Sequence, residues 1–233
     1  MLSPSEIGDL VEGAAARLVA RPRHGVPEGR VIRSELSARL RSASASEVIA
    51  VGLALARRPD LKAARARWVG WELINKHKGA VAELDLPLVE ALLEGADTWD
   101  EVDGHGLCIS GPAWRTGRIR DADILAWTES DDLWRRRAAL VATVVLNSAS
   151  HGGAGDAART LAVAERLVDD REDMVVKAMS WALRKLADHD RAAVEAWLAA
   201  NGARVAARVR REVGMKLRTG RKNQRPARFP TPA

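Results

Sequence analysis

At 233 residues the chain is long enough to bury a substantial core in one domain or a continuous repeat array. Cys108 is the only cysteine, which excludes an intramolecular disulfide and a cysteine-rich metal cluster and fits a reducing compartment. The net charge of +6 is uneven: from Gly202 onward ten Lys or Arg face the single acid Glu212, a local +9 against −3 for everything before it, an electrostatic footprint for a polyanion such as nucleic acid.

The N-terminal segment "MLSPSEIGDLVEG" has neither a basic region nor an apolar run, and nowhere do eighteen apolar residues follow one another, so a soluble cytoplasmic protein without a membrane span is expected. Apolar residues then recur at three- and four-residue spacing, as in "EIGDLVEGAAARLVA" and "AVEAWLAANGARVAARVRREVGMKL", while strand-like alternation is missing. The protein is expected to be all-α. Ser3-Pro4-Ser5-Glu6 and Ser44-Ala45-Ser46-Glu47 carry the capping-box pattern, in which hydroxyl and carboxylate reciprocally satisfy free amides, and Pro4 suits a first helical position. Asp60, Asp85, Thr98 and Ser130 are further candidate caps. Breaks such as "RRPD", "KGAVAELD", "GADT", "TGRIRD", "SASHGGAGD" and "VDDRED" divide the chain into about twelve helices of roughly ten to twenty residues, lengths that suit stacked helix pairs.

In chain order the first segment to need an explanation is "DTWDEVDGHG", Asp97 to Gly106, with a Trp and four carboxylates. It opens a helix on which Trp99 and Asp103, four apart, share a face. The glycines of "GHGLCISGP" lie inside an otherwise helical run, where each costs about 1 kcal/mol relative to Ala, so a close approach by a backbone or a ligand is expected there. In "LWRRRAAL", Trp134 and Arg137 are three apart on one face, and in "VVKAMSWALRKL" Trp181 and Arg184 repeat the arrangement. Arg135 and Arg136 read as a solvated charged face. The eight Trp, against one Phe and no Tyr, raise the prospect that some indoles face a groove, whereas Trp68, Trp71, Trp114, Trp127, Trp134 and Trp197 are assigned to packing. Trp99, Trp134 and Trp181 stand 35 and 47 residues apart, which brackets the length of HEAT-like helical pairs. His24, His77, His105, His151 and His189 lack metal-ligand spacing, so no metal site is expected. Of these, His105 lies nearest the acidic stretch and is expected to pack.

The ordered set "TWDEVD", "DDLWRRRAALVA" and "DREDMVVKAMSWALRKL" resembles the AlkD-like family of DNA alkylation-repair enzymes, over most of the chain from "WELINKHK" to "VGMKL". The resemblance implies an α-solenoid of about six HEAT-like helix pairs with a concave DNA-binding groove. The domain would span residues 1–218, followed by a basic, disordered tail at 219–233. It implies a monofunctional glycosylase that hydrolyses the N-glycosidic bond of cationic N3- and N7-alkylated purines, without cofactor and without flipping the base. Asp103 matches the family's catalytic carboxylate, Trp99 and Trp181 its sugar-flanking indoles, and Arg137 and Arg184 its phosphate-contacting arginines. The expected partner is double-stranded DNA containing alkylated purines, bound by a monomer. Two other readings are a non-catalytic helical-repeat protein that binds damaged or branched DNA, and a protein-interaction scaffold.

Overall fold

In the computed structural model, residues 1–21 and 25–222 are described; His24 and positions 223–233, most of the expected tail, lie outside them. Among the described residues the chain is all-helical, and no helix is long and apolar enough to cross a membrane. In chain order the helices are α1 (Pro4–Ala20), α2 (Val26–Arg39), α3 (Ala45–Arg57), α4 (Pro59–Ala63), α5 (Trp68–Asn75), α6 (Lys78–Ala82), α7 (Leu86–Leu93) and α8 (Trp99–His105). A π-helical turn at Gly106–Ser110 continues α8 into α9 (Gly111–Arg115). Then come α10 (Asp121–Trp127), α11 (Leu133–Leu146), α12 (Ala157–Arg166), α13 (Asp173–Leu186), α14 (Arg191–Asn201) and α15 (Ala207–Thr219).

The local signals act largely as expected. Ser3 and Ser44 both close capping boxes, with Glu6 and Glu47, and Pro4 opens α1. Asp85 caps α7 by accepting from the Leu88 amide at 2.9 Å. Thr98 occupies the N-cap of α8 without bonding its amides. The caps expected at Asp60 and Ser130 shift by two residues: Arg58 precedes α4, and Asp132 caps α11 by accepting from the Trp134 amide while the Ser130 hydroxyl accepts from the Asp132 amide. Several helices are shorter than expected. The stretch "KGAVAELD" is not a plain break but contains α6, whose start is bonded by the ring Nδ1 of His77, accepting from the Ala80 amide at 3.0 Å.

The helices form two rows. In the first, α2, α5, the α8–π–α9 unit, α11, α13 and α15 each touch the next; α1 and α3, the latter antiparallel to α5, pack behind its earlier members and α10, α12 and α14 behind its later ones. At the centre lies α11, buried at every position from Arg137 to Leu146; its run of Ala, Val, Leu and Thr is apolar around the whole circumference, as an enclosed helix requires. Side-chain contacts give the register of the first row. Arg137 meets Asp103, a Cβ on Gly106 would lie 2.5 Å from Val141, and one on Gly111 would lie 2.4 Å from Val145. The α8–π–α9 unit and α11 are therefore parallel, at an offset of 34 or 35 residues throughout. The glycines of "GHGLCISGP" are explained by this approach: the neighbour is another helix. Gly106 and Gly111 let α11 come close enough for polar groups at the helix starts to meet.

The same offset recurs among ion pairs. Lys62 bonds Asp97, Arg65 bonds Asp100, Arg136 bonds Asp170, Arg204 bonds Asp169 and Arg208 bonds Asp173, all across 34 or 35 residues. The solvated face expected for Arg135 and Arg136 is thus corrected: Arg136 also donates to the carbonyls of Ser130 and Asp131, and Arg135 pairs with Glu90, because each guanidinium reaches the preceding or following helix pair. The basic end of the chain is likewise partly neutralised, since Arg204, Arg208 and Lys216 pair with Asp169, Asp173 and Asp188.

Candidate DNA-repair site

The acidic stretch at Asp97–Asp103 has all four of its carboxylates engaged by cations from neighbouring elements. Asp97 takes the Lys62 ammonium at 2.8 Å, and Asp100 takes Arg65 through two bonds of 3.0 and 2.6 Å. Glu101 lies 3.5 Å from Arg67, with both side chains buried. Asp103 takes Arg137 through Nε at 3.0 Å and Nη2 at 2.9 Å. Three of these cations precede α8 in the chain and one follows it. Helix α8 is therefore tied to both neighbours, and Asp103 alone faces forward, towards α11.

The pair is nearly enclosed, with side-chain exposures of 5% for Arg137 and 15% for Asp103. Burial pushes the Asp103 carboxyl above the usual aspartate range, opposed by the hydrogen bonds and charge of Arg137. Arg137 Nη1 donates to the Met174 carbonyl in the first turn of α13, so one guanidinium bridges three helices of the row. Two turns further along α13, on the face of Met174, stands half-buried Trp181, and aromatic side chains on a helix lean back towards its N-terminus. Trp99, one turn before Asp103, is 52% exposed, the only exposed Trp among the large apolar residues of the surface. The geometry thus brings Asp103 and Arg137 together, with Trp99 one turn before Asp103 in solvent and Trp181 two turns further along α13.

Arg184 sits one turn beyond Trp181, half-buried. Its Nε donates to the Ser180 hydroxyl at 3.3 Å, and that hydroxyl donates to Glu212 at 2.7 Å. Glu212, the lone acid of the basic end, therefore anchors the turn that carries Trp181 and Arg184.

The indoles assigned to packing are enclosed in four cases, Trp71, Trp114, Trp127 and Trp197; Trp68 and Trp134 are half-buried. His105 is fully buried between Trp71 and Trp127. Its Nε2 donates to the Val89 carbonyl at 3.1 Å, its Nδ1 has no partner, and burial pulls its pKa down to about 3, so the ring is neutral. Cys108 is half-buried with its thiol pushed up to about 12, which leaves it unreactive as a nucleophile. No group of His, Cys, Asp and Glu suited to hold a metal occurs among the described residues.

Sequence reasoning did not single out a set of exposed cations at the opposite end of these helices, Lys76, Lys78, Arg115 and Arg118, which line a cleft of about 650 Å³. They lie in four separate short segments, and only the parallel stacking brings them together.

A family model described as DNA alkylation repair enzyme matches residues 27–217. The chain belongs to this family, the AlkD-like family. No curated protein matches the chain. Membership makes DNA alkylation repair the activity class of this AlkD-like protein and DNA its substrate.

Proposed function

We propose that this AlkD-like protein is a monofunctional DNA glycosylase that removes cationic N3- and N7-alkylated purines from duplex DNA. The two rows of helices are read as a HEAT-like solenoid of about six pairs, with the DNA held along the first row. The observation that carries the reading is the placement of Asp103: a nearly enclosed carboxylate, gripped by a buried guanidinium, in the second turn of a helix whose first turn exposes a tryptophan.

An alkylated purine bearing a positive charge is already a good leaving group, so no acid is needed to protonate it. This separates the reaction from ordinary glycoside hydrolysis, which needs two carboxyl groups. As the C1′–N bond breaks, its electron pair leaves with the base, which becomes neutral, and positive charge develops on the deoxyribose. The Asp103 carboxylate stabilises that charge and accepts a proton from the water whose oxygen bonds to C1′. Opposite unit charges about 4 Å apart are worth about 1 kcal/mol in water and about 4 kcal/mol at an effective dielectric of 20. The enclosure of Asp103 is therefore what gives it catalytic leverage. Trp99 and Trp181 face the sugar and add cation–π stabilisation of roughly 0.5 to 2 kcal/mol per ring.

Arg137 and Arg184 take different tasks. Arg137 is committed to Asp103 and to the Met174 carbonyl, so its main role is to keep the carboxylate ionised and aimed, and only its remaining N–H groups reach towards phosphate. Arg184 bonds one hydroxyl and offers the rest of its fork to a phosphate of the DNA backbone. The base stays stacked while the sugar is attacked.

The test is Asp103→Asn. The variant is expected to bind methylated duplex DNA as the parent does and to release no 7-methylguanine. Equal release by both proteins removes Asp103 from the chemistry, and no release by the parent leaves damaged-DNA binding without catalysis as the better reading.

A further inference from the structure

From α5 onward the first-row helices are parallel, so their starts form one edge and their ends another. Asp103 and Arg137 belong to the first edge. At the other edge Lys76 directly follows α5, Lys78 opens α6, Arg115 closes α9 and Arg118 lies in the turn after it. All four are exposed, and none has an ion pair or side-chain hydrogen bond. The cleft of about 650 Å³ between them contains one acid, Glu72, which is already held by Arg33 at 3.4 Å and by Arg30 at 4.0 Å. The cleft wall continues through His151, which burial and the charges of Lys185 and Lys76 keep neutral, so a further cation from the end of α13 lies within electrostatic reach.

Elsewhere in the row the arginines pair with the carboxylates of the next helix. Here four cations are brought together with no anion to match them. The negative ends of the helix dipoles account for Lys76 and Arg115. They do not account for Lys78, which occupies the positive start of α6, or for Arg118, which is outside any helix. A polyanion does account for all four.

Spacing indicates which part of the polyanion. Asp103 and Arg115 are twelve residues apart on one nearly continuous helical unit, about 18 Å at 1.5 Å per residue. That is wider than either groove of B-DNA, about 12 and 6 Å across, and both edges run along the same succession of helices. Two parallel tracks set so far apart suit the two backbones of a duplex.

We infer that Lys76, Lys78, Arg115 and Arg118 form a second phosphate track that holds the strand opposite the lesion. The inference rests on the proposed function only in taking duplex DNA as the partner. Its test uses unmodified duplex and Lys76→Ala/Arg115→Ala, both substitutions being on exposed side chains. The slope of log K against log salt is expected to fall by about 2, at roughly 0.9 per lost phosphate contact, with little change for one strand of the same sequence. Methylphosphonates placed in one strand of a duplex that carries a non-hydrolysable lesion, a 2′-fluoro 7-methylguanine nucleotide, then assign the contact. Neutralising the strand opposite the lesion position weakens the parent and not the variant; neutralising the lesion strand weakens both alike. An unchanged duplex slope, an equal loss on single strands, or coupling to the lesion strand overturns the inference. Because no base is released, the outcome is independent of Asp103→Asn: that variant's failure to abolish release would remove Asp103 from the chemistry and leave this track standing.

Discussion

Arg137 and Asp103, thirty-four residues apart in the chain, meet through two parallel hydrogen bonds of 3.0 and 2.9 Å, and the same guanidinium reaches the Met174 carbonyl. The carboxylate proposed for catalysis is therefore also part of what locks α8, α11 and α13 together, and activity and stability are linked at this point.

Replacing Arg137 with Met strands the Asp103 charge in a nearly dry site. Removing one member of a buried pair costs about 3–5 kcal/mol, so a marked drop in Tm is expected. Asp103 is ionised only above its folded pKa, which burial already raises and Arg137 lowers. Without Arg137 that pKa rises further, and the acid-side loss of base release moves to higher pH. A pH–rate profile with its acid limb unmoved would show that Arg137 does not govern the ionisation of Asp103.

Trp99→Ala separates chemistry from folding. The side chain is 52% exposed, so stability is expected to change by no more than about 0.5 kcal/mol. Loss of up to about 2 kcal/mol of sugar stabilisation lowers single-turnover base release by as much as ~30-fold. Trp71→Ala, at a fully buried indole, is the contrast: it should cost about 3–5 kcal/mol of stability. Full activity in Trp99→Ala would take this ring out of the site.

His105 makes the fold acid-sensitive. Its pKa is about 3 in the folded chain and near 6.5 when exposed, so below 6.5 the unfolded chain binds the extra proton. Stability is complete above that pH and falls, by up to about 1.4 kcal/mol per unit, as the pH drops towards 3. Urea titrations of the parent and of His105→Leu should diverge in this window; parallel curves would mean that the ring titrates normally.

Gly106→Ala places a Cβ 2.5 Å from Val141 Cγ1. Overpacking of this kind costs about 1–3 kcal/mol and should separate α8 from α11, lengthening the Asp103–Arg137 contact and slowing base release. Val141→Ala makes room, so the double variant should recover both stability and rate relative to Gly106→Ala. Additive losses would show that the two sites do not press on each other.

The sequence by itself was enough for the all-helical class, for the caps at Ser3, Ser44 and Asp85, and for the family, because these rest on neighbours one to four residues apart or on short ordered motifs. The burial of Trp71, Trp114, Trp127 and Trp197 was legible for a similar reason, the apolar periodicity around them. Tertiary structure decided the rest. That Arg136 ties helix pairs together instead of facing water, that Arg137 grips Asp103, and that Lys76, Lys78, Arg115 and Arg118 share one cleft all depend on the 34- to 35-residue register between parallel helices. No local pattern encodes that register. It is set by how closely Gly106 and Gly111 let α11 approach, and a charge reads as solvated or paired only once its partner from the next helix is in place.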